Sequence, residues 1–278
     1  MARGDLDDND VHDLVLDLGS SLGVWVQMNQ TSWLPLHPSS ASLMAFGDFA
    51  GGGRDDVVVS FKGHGTWVWL DNTEWRQLHP KNPNPMTIWA ESRLHDRFVA
   101  SFPGEGVWTG SFDGRWQQIH QRDASFLLVA DVRPERMPIP PFPPFPEPFN
   151  PPGREVVIGL AGAGVWVYDH NAVVWTRLHP FDVRSAVAGD LDGLGLDDLV
   201  IDFGPPYGLW ILFNGGTWRP LHGFSAEHVA LADLDGLGRD EIVIDFGALY
   251  GLWKYSTVSG WRPLLSGPIE DLLPGEFH

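Results

Sequence analysis

Carboxylates crowd three short stretches of this 278-residue chain: Asp5-Leu-Asp-Asp-Asn-Asp-Val-His-Asp13, Asp190-Leu-Asp-Gly-Leu-Gly-Leu-Asp-Asp198 and Asp233-Leu-Asp-Gly-Leu-Gly-Arg-Asp-Glu241. Like charges packed into one turn repel, and a divalent cation would relieve that repulsion; a hard cation takes six to eight oxygens at about 2.3–2.6 Å. The same aspartates can instead close Asx-turns, accepting backbone N–H groups without any metal. A second set of chemical groups also recurs. Histidine stands at positions 37, 79, 120, 179 and 222, with Leu265 in the sixth place, while Asp17, Asp202 and Asp245 interrupt apolar runs where other places have Ser60, Ser101 and Gly159. Carboxylate and imidazole together could support general acid–base chemistry. Every candidate is repeated, however, whereas an enzyme needs one unique constellation, and a leucine in the histidine column points to packing. Each buried aspartate then needs a hydrogen-bonding partner.

Tryptophan shows what must position these groups. Twelve of the fourteen fall into six pairs, with first members Trp25, Trp67, Trp108, Trp166, Trp210 and Trp253 and second members Trp33, Trp75, Trp116, Trp175, Trp218 and Trp261. The first members are 42, 41, 58, 44 and 43 residues apart. A period near 43 with one outlier means a supersecondary unit copied six times, with an insertion in one copy. Copies begin near Gly4, Gly47, Ala90, Ala130, Gly189 and Ala232.

The fifth copy reads as four strands: Ala186–Ala188, Leu199–Phe203, Leu209–Phe213 and Thr217–His222, with Asn214-Gly-Gly216 as a hairpin turn. The other second strands are Leu14–Leu18, Val57–Phe61, Phe98–Phe102, Val156–Leu160 and Ile242–Phe246. Second and third strands are almost continuously apolar, so both faces of each sheet must be covered, as between the blades of a propeller. The expected fold is an all-β, six-bladed β-propeller with four antiparallel strands per blade, as a single domain over residues 1–278. The period of two predicts that Trp210, Leu212, Trp218 and His222 share one face, with the paired tryptophans between blades. The insertion, residues 133–153, is proline-rich and favours polyproline II. It is a spacer or, through Phe142, Phe145 and Phe149, a surface for a protein partner. The tail 266–278 contains a strand-like stretch, Ile269–Leu273, expected to pair with blade 1 and close the ring; a truncated seventh blade is the alternative.

The acidic segments resemble the calcium loops of the FG-GAP/VCBS repeat family, found in the propellers of integrin α-subunits and some fungal lectins. The resemblance covers all six copies in outline and is specific in copies 1, 5 and 6. It implies oxygen ligands at loop positions 1, 3, 5 and 9, with a backbone carbonyl at 7. Carried over, these are Asp5, Asp7, Asn9 and Asp13 with the Val11 carbonyl; Asp190, Asp192 and Asp198 with the Leu196 carbonyl; and Asp233, Asp235 and Glu241 with the Arg239 carbonyl. Leu194 and Leu237 take the fifth position in copies 5 and 6, which removes one ligand from each. Copy 1 keeps all ligands but has Asp8 and Asp10 where the other loops have glycines, at positions expected to need positive φ. The loop of copy 2 (Asp48, Ala50, Gly52, Asp56) is eroded, and copies 3 and 4 have none.

A net charge of −18 makes nucleic acid and anionic membranes poor partners. No apolar run approaches the roughly 20 residues of a membrane helix. The absence of cysteine excludes disulfides and thiol chemistry. The N-terminus shows no signal peptide or lipidation motif, which fits a cytosolic protein or a secreted one whose leader is absent here. The expected function is non-catalytic recognition, most simply lectin-like binding of a glycan or glycoprotein with structural Ca²⁺. Trp69 and Trp89, the two tryptophans outside the pairs, are the expected ligand-stacking rings. The rivals are a protein-interaction scaffold and a lyase or hydrolase at the propeller channel.

Overall fold

A computed structural model describes residues 2–89, 96–132, 155–169 and 173–266. The insertion, the tail from residue 267 and the start of the third copy at Ala90 lie outside the described residues. The described residues form six four-stranded antiparallel sheets, each in sequential strand order, with no helix. None therefore contains a helix long and apolar enough to cross a membrane. The chain divides into two compact units, Met1–Leu127 and Leu128–His278. Sheets 1 to 3 lie in the first and sheets 5 and 6 in the second; sheet 4 has its first strand, Ala124–Ala130, across the division.

In sheet 5 the strands are Ser185–Gly189, Asp198–Asp202, Leu209–Phe213 and Thr217–His222. The third and fourth match their sequence-based bounds. Second strands start earlier than expected, at Asp13, Asp56, Asp198 and Glu241, because those acidic residues already pair with the first strand. Sheet 1 has its own first strand, Ala2–Gly4, paired with Asp13–Val15.

Continuous apolarity has the expected cause. In Asp56–Phe61 every residue is buried, and alternate side chains serve opposite faces. Val57, Val59 and Phe61 pack with Leu6, Val15, Val24 and Val26 of sheet 1, while Val58 joins Phe49, Val68 and Phe98 on the other side. Each such burial contributes about 1.5–3 kcal/mol. In the second unit, Leu209, Ile211 and Phe213 of sheet 5 meet Ile242, Ile244 and partly buried Trp261 of sheet 6.

One expectation about faces is corrected. All six third–fourth strand pairs carry a register shift immediately before the first tryptophan, as between Leu209 and Trp210. Past this bulge His222 pairs with Leu209 while Trp210 pairs with Pro220. One extra residue reverses the alternation. His222 therefore shares the face of Leu209 and looks toward sheet 6, whereas Trp218, opposite Leu212, stays on the face of Trp210.

Candidate functional site

The bulge brings together an aromatic trio at each junction of neighbouring sheets within a unit. The histidine ending one sheet stacks on the phenylalanine ending the next sheet's second strand, or just beyond it, and both meet that sheet's second tryptophan. His37 lies 4.1 Å from Phe61 and 5.7 Å from Trp75, and His79 lies 3.9 Å from Phe102 and 5.2 Å from Trp116. In the second unit His179 lies 4.4 Å from Phe203 and 5.3 Å from Trp218, and His222 lies 4.6 Å from Phe246 and 5.5 Å from Trp261. Each histidine Nδ1 accepts the N–H two residues on, at 3.0–3.3 Å, for all five. A neutral ring then carries its proton on Nε2. Burial holds His37, His79 and His179 below the ordinary imidazole range, with the charge of His64 adding to the effect at His37 and that of Arg177 at His179. The first tryptophans are locks of another kind: all six indole N–H groups donate to the carbonyl three residues earlier, at 2.8–3.1 Å.

The trios repeat, but their rims do not. Two columns form the rim: the residue two after the histidine and the residue three before the next sheet's first tryptophan. Between sheets 1 and 2 they hold Ser39 and His64. Between sheets 2 and 3 they hold Lys81 and Glu105, which form an ion pair. In the second unit both become aromatic: Phe181 with Tyr207 at 4.6 Å, and Phe224 with Tyr250 at 5.3 Å. Phe224 and Tyr250 remain 52% and 55% exposed although they touch. Between sheets 5 and 6 this opens a cleft of about 210 Å³ lined by His222, Phe224, Phe246, Tyr250, Trp253 and Trp261. Sequence reading missed this cleft. Its signal was the replacement of polar by aromatic residues in two columns, visible only once the copies are aligned on the bulge.

Trp69 and Trp89, the expected stacking rings, are placed elsewhere. Trp89 is 4% exposed and offers no ring face to a ligand. It ends its strand opposite Arg97, where sheet 5 has Gly189 opposite Asp198. Trp69 is half-buried, directly across from Trp75 and packed on the core shared by sheets 1 and 2. Bulk in the interior, not exposure, accounts for both.

The acidic loops converge as three clusters: Asp5, Asp7 and Asp13; Asp190, Asp192 and Asp198; Asp233, Asp235 and Glu241, with ligand-type atoms within 4.8 Å of one another in each. Much of their capacity is already used by Asx-type bonds. Asp190 accepts the N–H groups of Gly193, Leu194 and Gly195, and Asp198 accepts those of Leu191 and Asn214. Asn9 Oδ1 accepts the Val11 N–H, and its amide donates to Asn29. Asp8 and Asp10 adopt φ of 60° and 61°, the strained geometry anticipated for copy 1. Leu194 and Leu237 are 72% and 65% exposed and contribute only backbone N–H groups to the clusters, no side-chain ligand, while Val11, Leu196 and Arg239 offer at most their carbonyls.

Two clusters nevertheless fit a hard cation. In sheet 1, Asp7 Oδ1 is buried without a hydrogen-bond partner among the described residues. In sheet 5, burial pushes Asp198 up to about 6, and the charges of Asp192 and Asp190 push the same way. That is uncompensated negative charge among oxygen donors. The third cluster differs: Lys254 Nζ sits 3.1 Å from Glu241 Oε1.

The acidic doublets have a further use that sequence reading missed. Asp55, Asp96, Asp197 and Asp240, each just ahead of a second strand, clasp the preceding sheet. Asp55 Oδ2 accepts the Asp5 N–H at 2.8 Å while the Asp55 N–H returns to the Asp5 carbonyl at 2.8 Å. The pairs Asp48–Asp96 and Asp131–Asp197 repeat both bonds, and the Asp240 N–H reaches the Asp190 carbonyl at 2.7 Å. Burial, then neighbouring carboxylates, raise Asp55 and Asp240 above the ordinary range. Gly189 permits this closeness, since a Cβ there would collide with the Asp240 carboxylate.

The aspartates that interrupt second strands anchor the crossing to the next sheet. Asp17 Oδ2 accepts from Ser40 and Ala41, and Asp202 Oδ2 accepts from Ala226 at 3.1 Å; Ser101 does the same for Ala124. Asp245 Oδ1 accepts the Gly247 N–H, while its Oδ2 is buried without a partner among the described residues.

No protein-family model matches the chain, and no curated protein matches it in sequence. Solved structures do. The chain is similar to an Agrocybe aegerita lectin described for specific recognition of non-reducing terminal N-acetylglucosamine, with a TM-score of 0.63, 14% identity, and 94% of this chain and 78% of that one covered. It is also similar to BBS1N in complex with ARL6DN, at TM-score 0.56 and 11% identity over 84% and 70% of the two chains. A third is Saccharomyces cerevisiae Sqt1, at TM-score 0.55 and 12% identity over 97% and 75%. The fold is of the propeller type. At such identities the likeness reaches no further than fold, and these neighbours include both glycan- and protein-binding propellers.

Proposed function

We propose that this chain is a lectin-like, non-catalytic recognition module: a six-bladed propeller of FG-GAP/VCBS type whose aromatic clefts hold a sugar. The observation that carries the reading is the cleft of about 210 Å³ between sheets 5 and 6. It is smaller than the roughly 300–1,000 Å³ of drug-sized sites, which suits one monosaccharide unit. Apolar C–H faces of a sugar pack on aromatic rings while hydroxyls reach polar tips. Here Trp253, Phe224 and Tyr250 supply faces, and the Tyr250 hydroxyl and His222 Nε2 supply the tips. The rings of His179, Phe203, Tyr207 and Phe181 repeat the arrangement between sheets 4 and 5 and would offer a second place. Terminal N-acetylglucosamine is the first sugar to test, because the lectin of similar fold is described for it.

Calcium is part of the same proposal. Asp5, Asp7 and Asp13, and Asp190, Asp192 and Asp198, would hold it, and its charge would offset the repulsion within each cluster. Glycan-array binding with tryptophan-fluorescence titration tests the sugar reading. Saturable binding that Tyr250→Ala and Trp253→Ala each weaken about tenfold supports it, as loss of about 1.4 kcal/mol of ring contact would do. No glycan bound, with a protein captured through the insertion at 133–153, would move the chain to the scaffold class.

A further inference from the structure

We propose that Lys254 is a built-in cation, filling for the loop Asp233–Glu241 the role that calcium is proposed to fill for the loops of sheets 1 and 5. This rests on the calcium reading above. The residue after each first tryptophan is Val26, Val68, Thr109, Val167 or Ile211 in the other copies, all buried. Only the sixth copy has a charge there. An ammonium in an apolar column is costly unless paired, and this one has a pair. Lys254 Nζ lies 3.1 Å from Glu241 Oε1, the two side chains being 18% and 3% exposed.

Two neighbouring changes belong with it. In sheets 1 and 5 the ninth loop residue is aspartate, and one of its oxygens accepts the N–H of Asn29 or Asn214. The amide of that asparagine then donates to Asp7 or Asp192 at 2.8 Å. In sheet 6 the asparagine is Thr257, whose hydroxyl turns away to the Leu191 carbonyl at 2.8 Å. The ninth residue is glutamate, one methylene longer, so Oε2 still accepts the Leu234 N–H at 3.0 Å while Oε1 meets the ammonium. Acid, turn and strand residues have changed together, and the outcome is an internal positive charge against the cluster of Asp233, Asp235 and Glu241.

The test is calcium titration of the full chain by isothermal titration calorimetry, with thermal melts in chelator and in millimolar calcium. Lys254→Ile installs the residue found at Ile211. It should bind one more calcium per chain than the unaltered protein. Its melting temperature should fall in chelator and recover in calcium, and adding Glu241→Gln should abolish both the extra ion and the recovery. In the unaltered protein, Asp235→Ala should leave the calcium count unchanged. An unchanged count in Lys254→Ile, or a count that drops with Asp235→Ala alone, overturns the assignment. Should Lys254→Ile not fold in chelator, refolding in calcium supports the assignment, and failure there while Lys254→Gln folds without gaining an ion overturns it. An extra ion in Lys254→Ile when the unaltered protein binds none would leave Lys254 its role and refute calcium at sheets 1 and 5.

Discussion

Replacing Gly208 with alanine should be far more damaging than replacing Gly204, although both glycines lie in one turn and both have positive φ, +66° and +74°. A Cβ on Gly204 would meet nothing within 4 Å. Its cost is left-handed strain alone, about 1–2 kcal/mol. A Cβ on Gly208 would fall inside the contact radius of the His222 carbonyl oxygen and 2.6 Å from the Gly223 carbonyl carbon. That carbon is about 1 Å inside the 3.5–4.0 Å optimum for non-bonded carbons. Every obstructing atom is backbone, and His222 is paired with Leu209, so relief means opening the bulge. Losing one or two ladder bonds there adds about 1–3 kcal/mol. We expect Gly208→Ala to cost about 2–5 kcal/mol against about 1–2 for Gly204→Ala. At roughly 2–4 °C per kcal/mol for a chain of this order, the two melting temperatures should stand clearly apart. Urea unfolding followed by tryptophan fluorescence measures the difference, and sugar binding should fall with Gly208→Ala because His222 loses its place. Equal losses for the two variants would refute the argument that a backbone collision, and not φ, makes this glycine necessary. The same collision with a histidine carbonyl awaits a Cβ at Gly23, Gly65, Gly106 and Gly164, so Gly65→Ala should repeat the result.

Three shorter predictions test the surrounding parts. Asp240→Ala removes a carboxylate that clasps two sheets and should cost about 1–3 kcal/mol in urea unfolding, with a smaller loss for Asp240→Asn; no loss would make the clasp incidental. Burial holds His179 below its ordinary value of 6.5, so its contribution is fully present above that pH and is lost as the pH falls through the folded value. His179→Leu, copying Leu265, should therefore lose less stability than the unaltered protein between about pH 7.5 and pH 5, whereas parallel profiles would count against a buried neutral ring. Calcium at about 100 times its dissociation constant should stabilise the fold by roughly 2.7 kcal/mol per site, a gain that Asp192→Ala reduces; identical melts with chelator and with calcium would leave the loops as Asx-turns.

The repeat, the strands and the need for cover on both faces were legible because tryptophan and valine recur at fixed steps, and burial of the strand Asp56–Phe61 answers that pattern directly. The face of His222 was not. A period of two assumes an unbroken ladder, and the bulge before Trp210 adds a residue that no side chain announces. The doublets Asp197-Asp198 and Asp240-Glu241 were read for their second members only, since the partners of the first members lie on another sheet. Trp89 misled for a related reason. Lying outside the pairs, it looked free of structural duty, yet it is buried at a position where the copies on either side carry the small residues Gly47 and Ala130.

The rim columns reverse that lesson, because there the repeated hydrogen bonds use only the main chain. Tyr207 and Tyr250 serve the structure through their carbonyls, which receive the indole N–H groups of Trp210 and Trp253, just as His64 and Glu105 do in other copies. Phe181 and Phe224 serve it through N–H groups donated to histidine, as Ser39 and Lys81 do. Any side chain would allow these main-chain bonds, although Phe181 and Phe224 also lie against His179 and His222. Half-exposed aromatic rings there bring a cost in solubility, and contact with a ligand is the use proposed for them. Phe224→Lys combined with Tyr250→Glu, which copies the Lys81–Glu105 pair, should therefore leave the melting temperature within about 2 °C, since surface changes usually fall within about ±0.5 kcal/mol. It should also abolish binding at the cleft between sheets 5 and 6. The same exchange at Phe181 and Tyr207 should halve whatever binding stoichiometry the unaltered protein shows. Undiminished binding in the chain bearing both exchanges would place the ligand elsewhere, and a collapse of the melting temperature would return these rings to the core.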